Sequence, residues 1–251
     1  MIRIDKFLCD SLGLSRSEAK KAVSSGKVLI NDVKVLRPEA KLSEDSDRVV
    51  FDGVPVVYER FVYYMLNKPA GVVSANTDSR DRTCIDLLKD EKKKDLSCVG
   101  RLDKDTTGLM IITNDGALVH ALTAPSKDIF KDYLVSIPKP LTPEQIDALE
   151  NGVDINDKIP TKPAFVKIPD DTFASDRDFD RGGDTAKIVL SISEGRFHQV
   201  KRMLIAVGSK VVDLKRMSIG GLKLDGSLKP GEYRRLTEGE VELLRSISRQ
   251  S

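Results

Sequence analysis

The sequence has few of the residues that metal, redox and nucleotide-cofactor sites require. Of its 251 residues, three are cysteine, two are histidine and none is tryptophan. Cys9, Cys84 and Cys98 lack CxxC spacing, so we expect three reduced thiols and neither a zinc site nor a disulfide framework. The sequence also lacks a glycine-rich phosphate-binding loop and a GxSxG nucleophile elbow. We therefore expect a protein that works without a metal and without a cofactor.

Long apolar runs and a strong net charge are also absent. No stretch approaches the roughly 18 consecutive apolar residues of a membrane span, and the start, MIRIDKFLCDS, places charged residues where the apolar core of a signal peptide would lie. These features predict a cytoplasmic protein. With 41 Lys and Arg against 39 Asp and Glu, the formal net charge is +2, so any electrostatic attraction to a polyanion must be local.

Charge is in fact unevenly distributed along the chain. Residues 1–41 carry nine Lys or Arg and five acidic residues, and residues 195–216 carry six Lys or Arg and one Asp. Residues 170–184 instead hold six Asp and two Arg, without apolar periodicity, and we interpret them as an exposed, solvated loop. The two basic segments are candidate contacts for a negatively charged partner.

The first fifty residues predict two helices and a hairpin. Ser15 and Glu18 form a capping-box pattern at the start of a short helix, which we expect to end at Gly26. The apolar runs around Asn31 and Asp32 predict a hairpin, because these residue types tolerate the left-handed conformation of a tight turn. Residues 54–60, which include Pro55, are interpreted as a linker.

Beyond residue 60, short apolar strands alternate with helices. This pattern predicts an α+β fold, in which a mixed, mainly antiparallel sheet is flanked by helices. We expect two domains, a small one over residues 1–58 and a larger one over residues 59–251. The candidate strands are residues 63–66, 109–113, 133–137, 164–168, 186–193 and 210–214.

Two polar windows could carry chemistry. In residues 99–109, VGRLDKDTTGL, charged side chains precede an apolar strand and could face a cleft, although an ordinary charged turn gives the same pattern. In residues 193–203, SEGRFHQVKRM, a helix start places His198, Lys201 and Arg202 on one face, although a solvated helix face is the simpler interpretation.

Two single residues add to these windows. Lys68 stands in LNKPAG, at the mouth of a turn, and Tyr133 stands in KDYLV, at a strand start. A buried tyrosine in the core is the commoner case, but a phenol ring can also cover the face of a base.

Taken together, the motifs GRLDKDTTGLMIITNDG, LNKPAGVV, KDYLV and EGRFHQVKRM resemble, in order and spacing, the pseudouridine synthases related to the small-subunit ribosomal RNA enzyme. The segments RIDKFL, GLSRSEAKKAV and GKVLIN are similar to the S-four RNA-binding domain. The resemblance covers roughly residues 1–58 and 61–245. It implies a small RNA-binding domain followed by a catalytic domain.

The resemblance also implies residue roles. It identifies Asp103 as the catalytic aspartate, Tyr133 as the ring that stacks on the target uracil, and Lys201 as the cation that pairs with the aspartate. Asp132 stands where the family usually has Thr, which leaves the local start of the strand open. Arg101 and Lys68 are expected to order the loop or to contact RNA. The full set of expected RNA-binding residues is Arg16, Lys20, Lys21, Lys27, Lys68, Arg101, His198 and Arg202.

These inferences predict an isomerase that turns a ribosomal RNA uridine into pseudouridine without a cofactor. The HQVKRM motif resembles the small-subunit subgroup, and a large-subunit enzyme is the alternative. A non-catalytic RNA-binding factor in ribosome assembly is a second alternative. A stand-alone DNA- or RNA-cleaving hydrolase is disfavoured because metal ligands are lacking. We expect a monomer that binds ribosomal RNA within a pre-ribosomal particle.

Overall fold

The computed structural model describes residues 1–44, 46–88, 95–169 and 185–250, with side chains up to residue 247. The acidic segment at residues 170–184 therefore lies outside the described residues. The chain has the predicted α+β fold and divides into two compact units, of which the first is built on Met1–Val62 and the second on the described residues of Tyr63–Lys89 and Ser97–Ser251. No helix within the described ranges is long and apolar enough to cross a membrane.

The first unit packs two helices against small antiparallel sheets. The predicted capping box forms, because the Ser15 hydroxyl accepts from the Glu18 amide while the Glu18 carboxylate accepts from the Ser15 amide. Its elements are β1 (Ile2–Arg3), α1 (Ile4–Leu12), α2 (Arg16–Ser24), β2 (Val28–Ile30), β3 (Val33–Lys34), β4 (Lys41–Leu42), β5 (Val49–Phe51) and β6 (Val54–Val56).

Two expectations for this unit have different outcomes. The hairpin β2–β3 turns at Asn31 and Asp32, which both have positive φ angles, so that prediction is confirmed. The linker interpretation of residues 54–60 is wrong at its start, since β6 pairs with β5 along its whole length. Pro55 fits there because β6 is an edge strand of the sheet, where a missing N–H donor is tolerated.

The second unit is built around a nine-stranded sheet flanked by helices. Its principal strand order is β11-β12-β10-β13-β9-β7-β15. The elements are β7 (Tyr63–Lys68), β8 (Ser97–Cys98), β9 (Thr107–Thr113), α3 (Gly116–Thr123), β10 (Lys131–Ile137), α4 (Pro143–Asn151), β11 (Phe165–Lys167), β12 (Ala186–Ile192), α5 (Gln199–Ala206), β13 (Asp213–Ile219), β14 (Leu222–Lys223), β15 (Tyr233–Arg235) and α6 (Glu238–Gln250).

Strands β9 and β13 run parallel to each other, in a sheet that is otherwise antiparallel in the part of the chain that the structure describes. At this contact Gly108 has φ +99°, and a Cβ atom on it would lie 2.3 Å from the Arg216 carbonyl oxygen. Glycine therefore permits the close approach of the two backbones. This approach sets the loop that precedes β9 beside the middle of the sheet.

The strand predicted at residues 210–214 is placed too early, because β13 spans Asp213–Ile219. Lys215 and Arg216 are both buried within it, at 6% and 2% exposure. Because buried residues of β13 include these two cations, the strand does not show the apolar run by which strands are predicted. Arg216 was therefore not among the predicted site residues.

Candidate active site

The loop at residues 99–106 lies over a buried lysine. Lys68 is fully buried, and its ammonium group donates to the carbonyl oxygens of Thr106 at 2.7 Å and Asp103 at 3.0 Å. The carbonyl oxygens of Pro69 and Lys104 lie within reach of the same nitrogen, at 3.2 and 3.4 Å. The buried ammonium group thus gathers four carbonyl oxygens around the loop that carries Asp103.

This position corrects one expectation. Because Lys68 has no exposed surface, it is not an RNA contact, and it acts instead by ordering the loop. Burial lowers the pKa of Lys68 to about 8. The nearby carboxylates of Asp105 and Asp103 act in the opposite direction, but they raise the pKa by less than burial lowers it. At neutral pH most of the molecules therefore keep the ammonium form that donates to the carbonyl oxygens.

Lys201 connects α5 to this loop. Its Nζ lies 3.1 Å from Oδ2 of Asp103 and 2.7 Å from Oδ1 of Asp105. Burial lowers the pKa of Lys201, but its hydrogen bonds to Asp105 and Asp103 raise it by more in total, so the pKa lies above its ordinary value. For Asp105, burial raises the pKa and the hydrogen bond from Lys201 lowers it, with a net lowering. The cluster therefore holds its charges as a cation between two carboxylates.

His198 lies at the same carboxylate, with Nε2 3.5 Å from Oδ1 of Asp103. It directly precedes α5 in a left-handed conformation, with φ +49°. Gln199 holds this turn in place, because its amide nitrogen donates to Glu194 at 2.7 Å and its oxygen accepts from the Arg196 amide at 2.9 Å. The helix start is thus fixed by buried polar contacts next to the Asp103 carboxylate.

Arg202 does not join this cluster. Its guanidinium group binds the carboxylate of Asp157 at 2.6 Å and the carbonyl oxygen of Ile155. The expectation that His198, Lys201 and Arg202 point in one direction is therefore wrong for Arg202. His198 precedes α5 in a left-handed conformation, so the helical relation between positions i, i+3 and i+4 does not hold for these three residues.

Tyr133 lies on β10 at an irregularity in the sheet. It is 7% exposed, and the register between β10 and β13 shifts between Asp132 and Tyr133. The Asp132 carboxylate accepts hydrogen bonds from the hydroxyl groups of Ser191 on β12 and Ser218 on β13. Where the family usually has Thr, this chain thus ties the start of β10 to both neighbouring strands, which fixes the backbone that carries the Tyr133 ring.

A cavity of about 640 Å³ brings these residues together, within the range of roughly 300–1,000 Å³ that is usual for small-molecule sites. Asp103, Tyr133 and Lys201 all line it, although they come from a loop, a strand and a helix. The further polar side chains on its wall include those of Arg101, Lys131, Glu194, His198 and Arg216. Such a wall of cations and carboxylates suits a polar, anionic substrate.

Sequence reasoning missed two of the cations at this cavity. Arg216 is 2% exposed and donates from Nε to the Leu109 carbonyl oxygen at 2.9 Å. Burial, and then repulsion from Arg216, lower the pKa of Lys131 to about 8. Both cations lie within two residues of a predicted strand, Lys131 before residues 133–137 and Arg216 after residues 210–214, so the predicted bounds of these strands left them out.

The remaining expected RNA contacts belong to two surfaces. Arg101 is exposed at the cavity. In the first unit, the four basic residues of α2 and the hairpin region are exposed, and Lys27 pairs with Asp52 at 3.0 Å. The four are Arg16, Lys20, Lys21 and Lys27. Within the described residues, no three His, Cys, Asp or Glu side chains are grouped as a metal site would require.

Comparison with known proteins gives the same picture for both units. Residues 62–206 match the RNA pseudouridylate synthase family, and residues 2–49 match the S4 domain. The chain is 43% identical over 244 residues to the uncharacterized RNA pseudouridine synthase YtzG of Bacillus subtilis, covering 97% of this chain and 98% of the relative. It is 38% identical over 242 residues to the ribosomal small subunit pseudouridine synthase A of Escherichia coli, and the match covers 96% of this chain and 98% of that relative.

A solved structure is similar over the same length. It is the crystal structure of a pseudouridylate synthase, which is 39% identical in sequence and has a TM-score of 0.65. The match covers 97% of this chain and 100% of the solved chain.

Proposed function

The chain belongs to the RNA pseudouridylate synthase family of isomerases, and on that premise we propose that its substrate is a specific uridine of small-subunit ribosomal RNA. Relatives at 37–39% identity over nearly the whole chain are named ribosomal small subunit pseudouridine synthase A. The S4 domain supports an RNA substrate, because such a domain supplies the phosphate contacts that position RNA.

Asp103 is the proposed catalytic residue. The observation that carries this assignment is the shared cavity, in which Lys201 approaches the Asp103 carboxylate to 3.1 Å and Tyr133 lines the same wall. The reaction breaks the bond between the sugar and N1 of uracil, rotates the base and joins C5 to the same sugar carbon. C5 then loses its proton and N1 gains one, so the atoms balance without net redox change. An ionised carboxylate can act in it as a nucleophile or as a base.

The other residues have supporting roles. Lys201 binds the Asp103 carboxylate at 3.1 Å and holds it in place at the cavity. The ring of Tyr133 packs against the face of the uracil, which must leave its stack to reach the cavity. Unstacking costs a few kcal/mol, which phosphate contacts and stacking in the cavity offset. We propose that the protein acts as a monomer on a cytoplasmic pre-ribosomal particle.

Mapping of carbodiimide-reactive pseudouridines, with and without the gene, tests the substrate. We expect one pseudouridine to disappear from small-subunit RNA when the gene is deleted. A position lost from large-subunit RNA would assign the enzyme to the other subunit. Complete retention of pseudouridines with accumulation of precursor particles would favour a non-catalytic assembly factor.

Two matched substitutions test the catalytic assignment. Asp103 and Asp105 both bind Lys201, but only Asp103 lines the cavity, and Asp105 is 72% exposed. We expect Asp103→Asn to abolish pseudouridine formation in vitro while RNA affinity stays within severalfold of the wild-type value. Asp105→Asn removes the same charge and should retain turnover. Product formation by Asp103→Asn would show that the assignment is wrong.

A further inference from the structure

An exposed aromatic pair lies at the edge of the candidate active site. Phe197 is 75% exposed, and its ring stacks on that of His198 with centroids 3.8 Å apart and planes inclined by 19°. Both residues line the cavity, and His198 lies 3.5 Å from the Asp103 carboxylate. One phenylalanine face is therefore covered by imidazole, while most of the side chain remains open to solvent beside the reacting groups.

The turn that carries the pair is braced on its inner side. The Arg196 side chain, 19% exposed, pairs with Glu194 at 3.0 Å and donates to the carbonyl oxygens of Ile159 at 2.7 Å and Pro160 at 2.8 Å. The left-handed backbone of His198 is maintained by these contacts and by the start of the helix. Phe197 is thus an exposed ring on a firmly held support, so little conformational entropy would be lost when a ligand covers it.

The surroundings indicate which ligand that is. Exposed Arg101 and the half-buried Lys201 line the same cavity, and such cations attract a phosphate backbone. When a uridine leaves its stack, the base next to it loses a stacking partner and presents a free π face. Single-stranded nucleic acid binding sites commonly cover such faces with aromatic side chains.

We propose that the open face of Phe197 stacks on the base adjacent to the target uridine and so holds the RNA with its uridine extruded. This inference rests on the proposed function and adds a substrate-binding residue to it. The contact is independent of base identity in its chemistry, because every base has a π face. Loss of one such stack should weaken RNA binding roughly 5- to 150-fold.

The absence of tryptophan from the chain provides a direct probe. Phe197→Trp introduces a single indole whose emission should be quenched when the protein is saturated with an in vitro transcript of small-subunit ribosomal RNA. Phe165→Trp is the matched control, because Phe165 is a 51% exposed phenylalanine of the same unit that does not line the cavity. Its emission should change little. Unchanged emission of Phe197→Trp, or equal quenching of both proteins, would refute the stacking.

Kinetics distinguish stacking from general hydrophobic contact. Phe197→Leu keeps an apolar side chain but removes the π face, and we expect kcat/KM to fall by the factor given above, mainly through KM. Phe197→Tyr should restore values near those of the wild type. Equal kcat/KM for Phe197→Leu and wild type would overturn the inference while leaving the proposed function intact. If the wild-type protein itself formed no pseudouridine, the proposed function would be contradicted instead. The emission experiment needs no turnover, so it would still show whether Phe197 stacks on RNA.

Discussion

Replacement of Lys201 by methionine tests the electrostatics of the site most directly. The substitution keeps a long flexible side chain and removes only the ammonium group, which lies 3.1 Å from Asp103 and 2.7 Å from Asp105. The side chains of Lys201 and Asp103 are 22% and 26% exposed, so water screens their attraction only in part. Without the ammonium group, Asp103 and Asp105 both lose their shared ion-pair partner.

The size of the effect follows from the distance. Two unit charges 3.1 Å apart attract by about 5 kcal/mol at an effective dielectric constant of about 20, and by about 1 kcal/mol in bulk water. A partly exposed pair that is shared with Asp105 lies between these limits, at about 2–4 kcal/mol. If the transition state depends on that attraction, single-turnover pseudouridine formation should slow by roughly 30- to 1,000-fold in its absence.

Arg202→Met is the matched control, because it removes one positive charge from the adjacent residue, which binds Asp157 and not Asp103. We expect both variants to lose a similar part of their salt-dependent RNA affinity, whereas only Lys201→Met loses the rate of the chemical step. Lys201→Arg should recover much of that rate. A single-turnover rate within threefold of wild type for Lys201→Met, or equal slowing of both variants, would refute the assigned role.

Two further predictions concern the support of the site. Gly108→Ala should lower the free energy of unfolding, measured by urea titration, by about 3 kcal/mol or more. The added Cβ would lie 2.3 Å from the Arg216 carbonyl oxygen, and the φ angle of +99° is itself strained for alanine. A loss below about 1 kcal/mol would contradict the close approach of the two backbones. The second prediction concerns Lys68, whose pKa burial lowers to about 8 in the folded protein. The unfolded chain keeps this lysine protonated up to about pH 10.4, so between these two pH values it binds more protons than the folded protein. The free energy of unfolding should therefore rise with pH over this range, by up to about 3 kcal/mol from this group. The wild-type rise minus that of Lys68→Met should show this contribution, and parallel curves would argue against it.

Local patterns in the sequence were sufficient for much of the fold. The capping box at Ser15 and the turn at Asn31 and Asp32 both depend on interactions between residues a few positions apart. The strands with continuous apolar runs were located for a similar reason, since burial on both faces selects such runs. Strand β13 was misplaced because two of its buried residues are cations.

The chemistry of the site was only partly contained in those patterns. The motifs around Asp103 and Lys201 indicated the residue types, and their resemblance to a family implied the pairing. The burial of Lys68, the separate contact of Arg202 with Asp157 and the presence of Lys131 in the cavity were not predictable, because each depends on how distant segments pack.

The sequence by itself thus determined the helix ends, the turns, most strands and the identity of the polar groups, all of which reflect short-range preferences of the backbone and local hydrophobic periodicity. Tertiary structure alone decided which of these polar groups meet. Lys201 reaches Asp105 across 96 residues of chain because β9 and β13 run parallel at Gly108 and α5 follows β12 back to the same edge of the cavity. A contact over such a separation is set by strand register and by the packing of the whole sheet, and no local pattern records it.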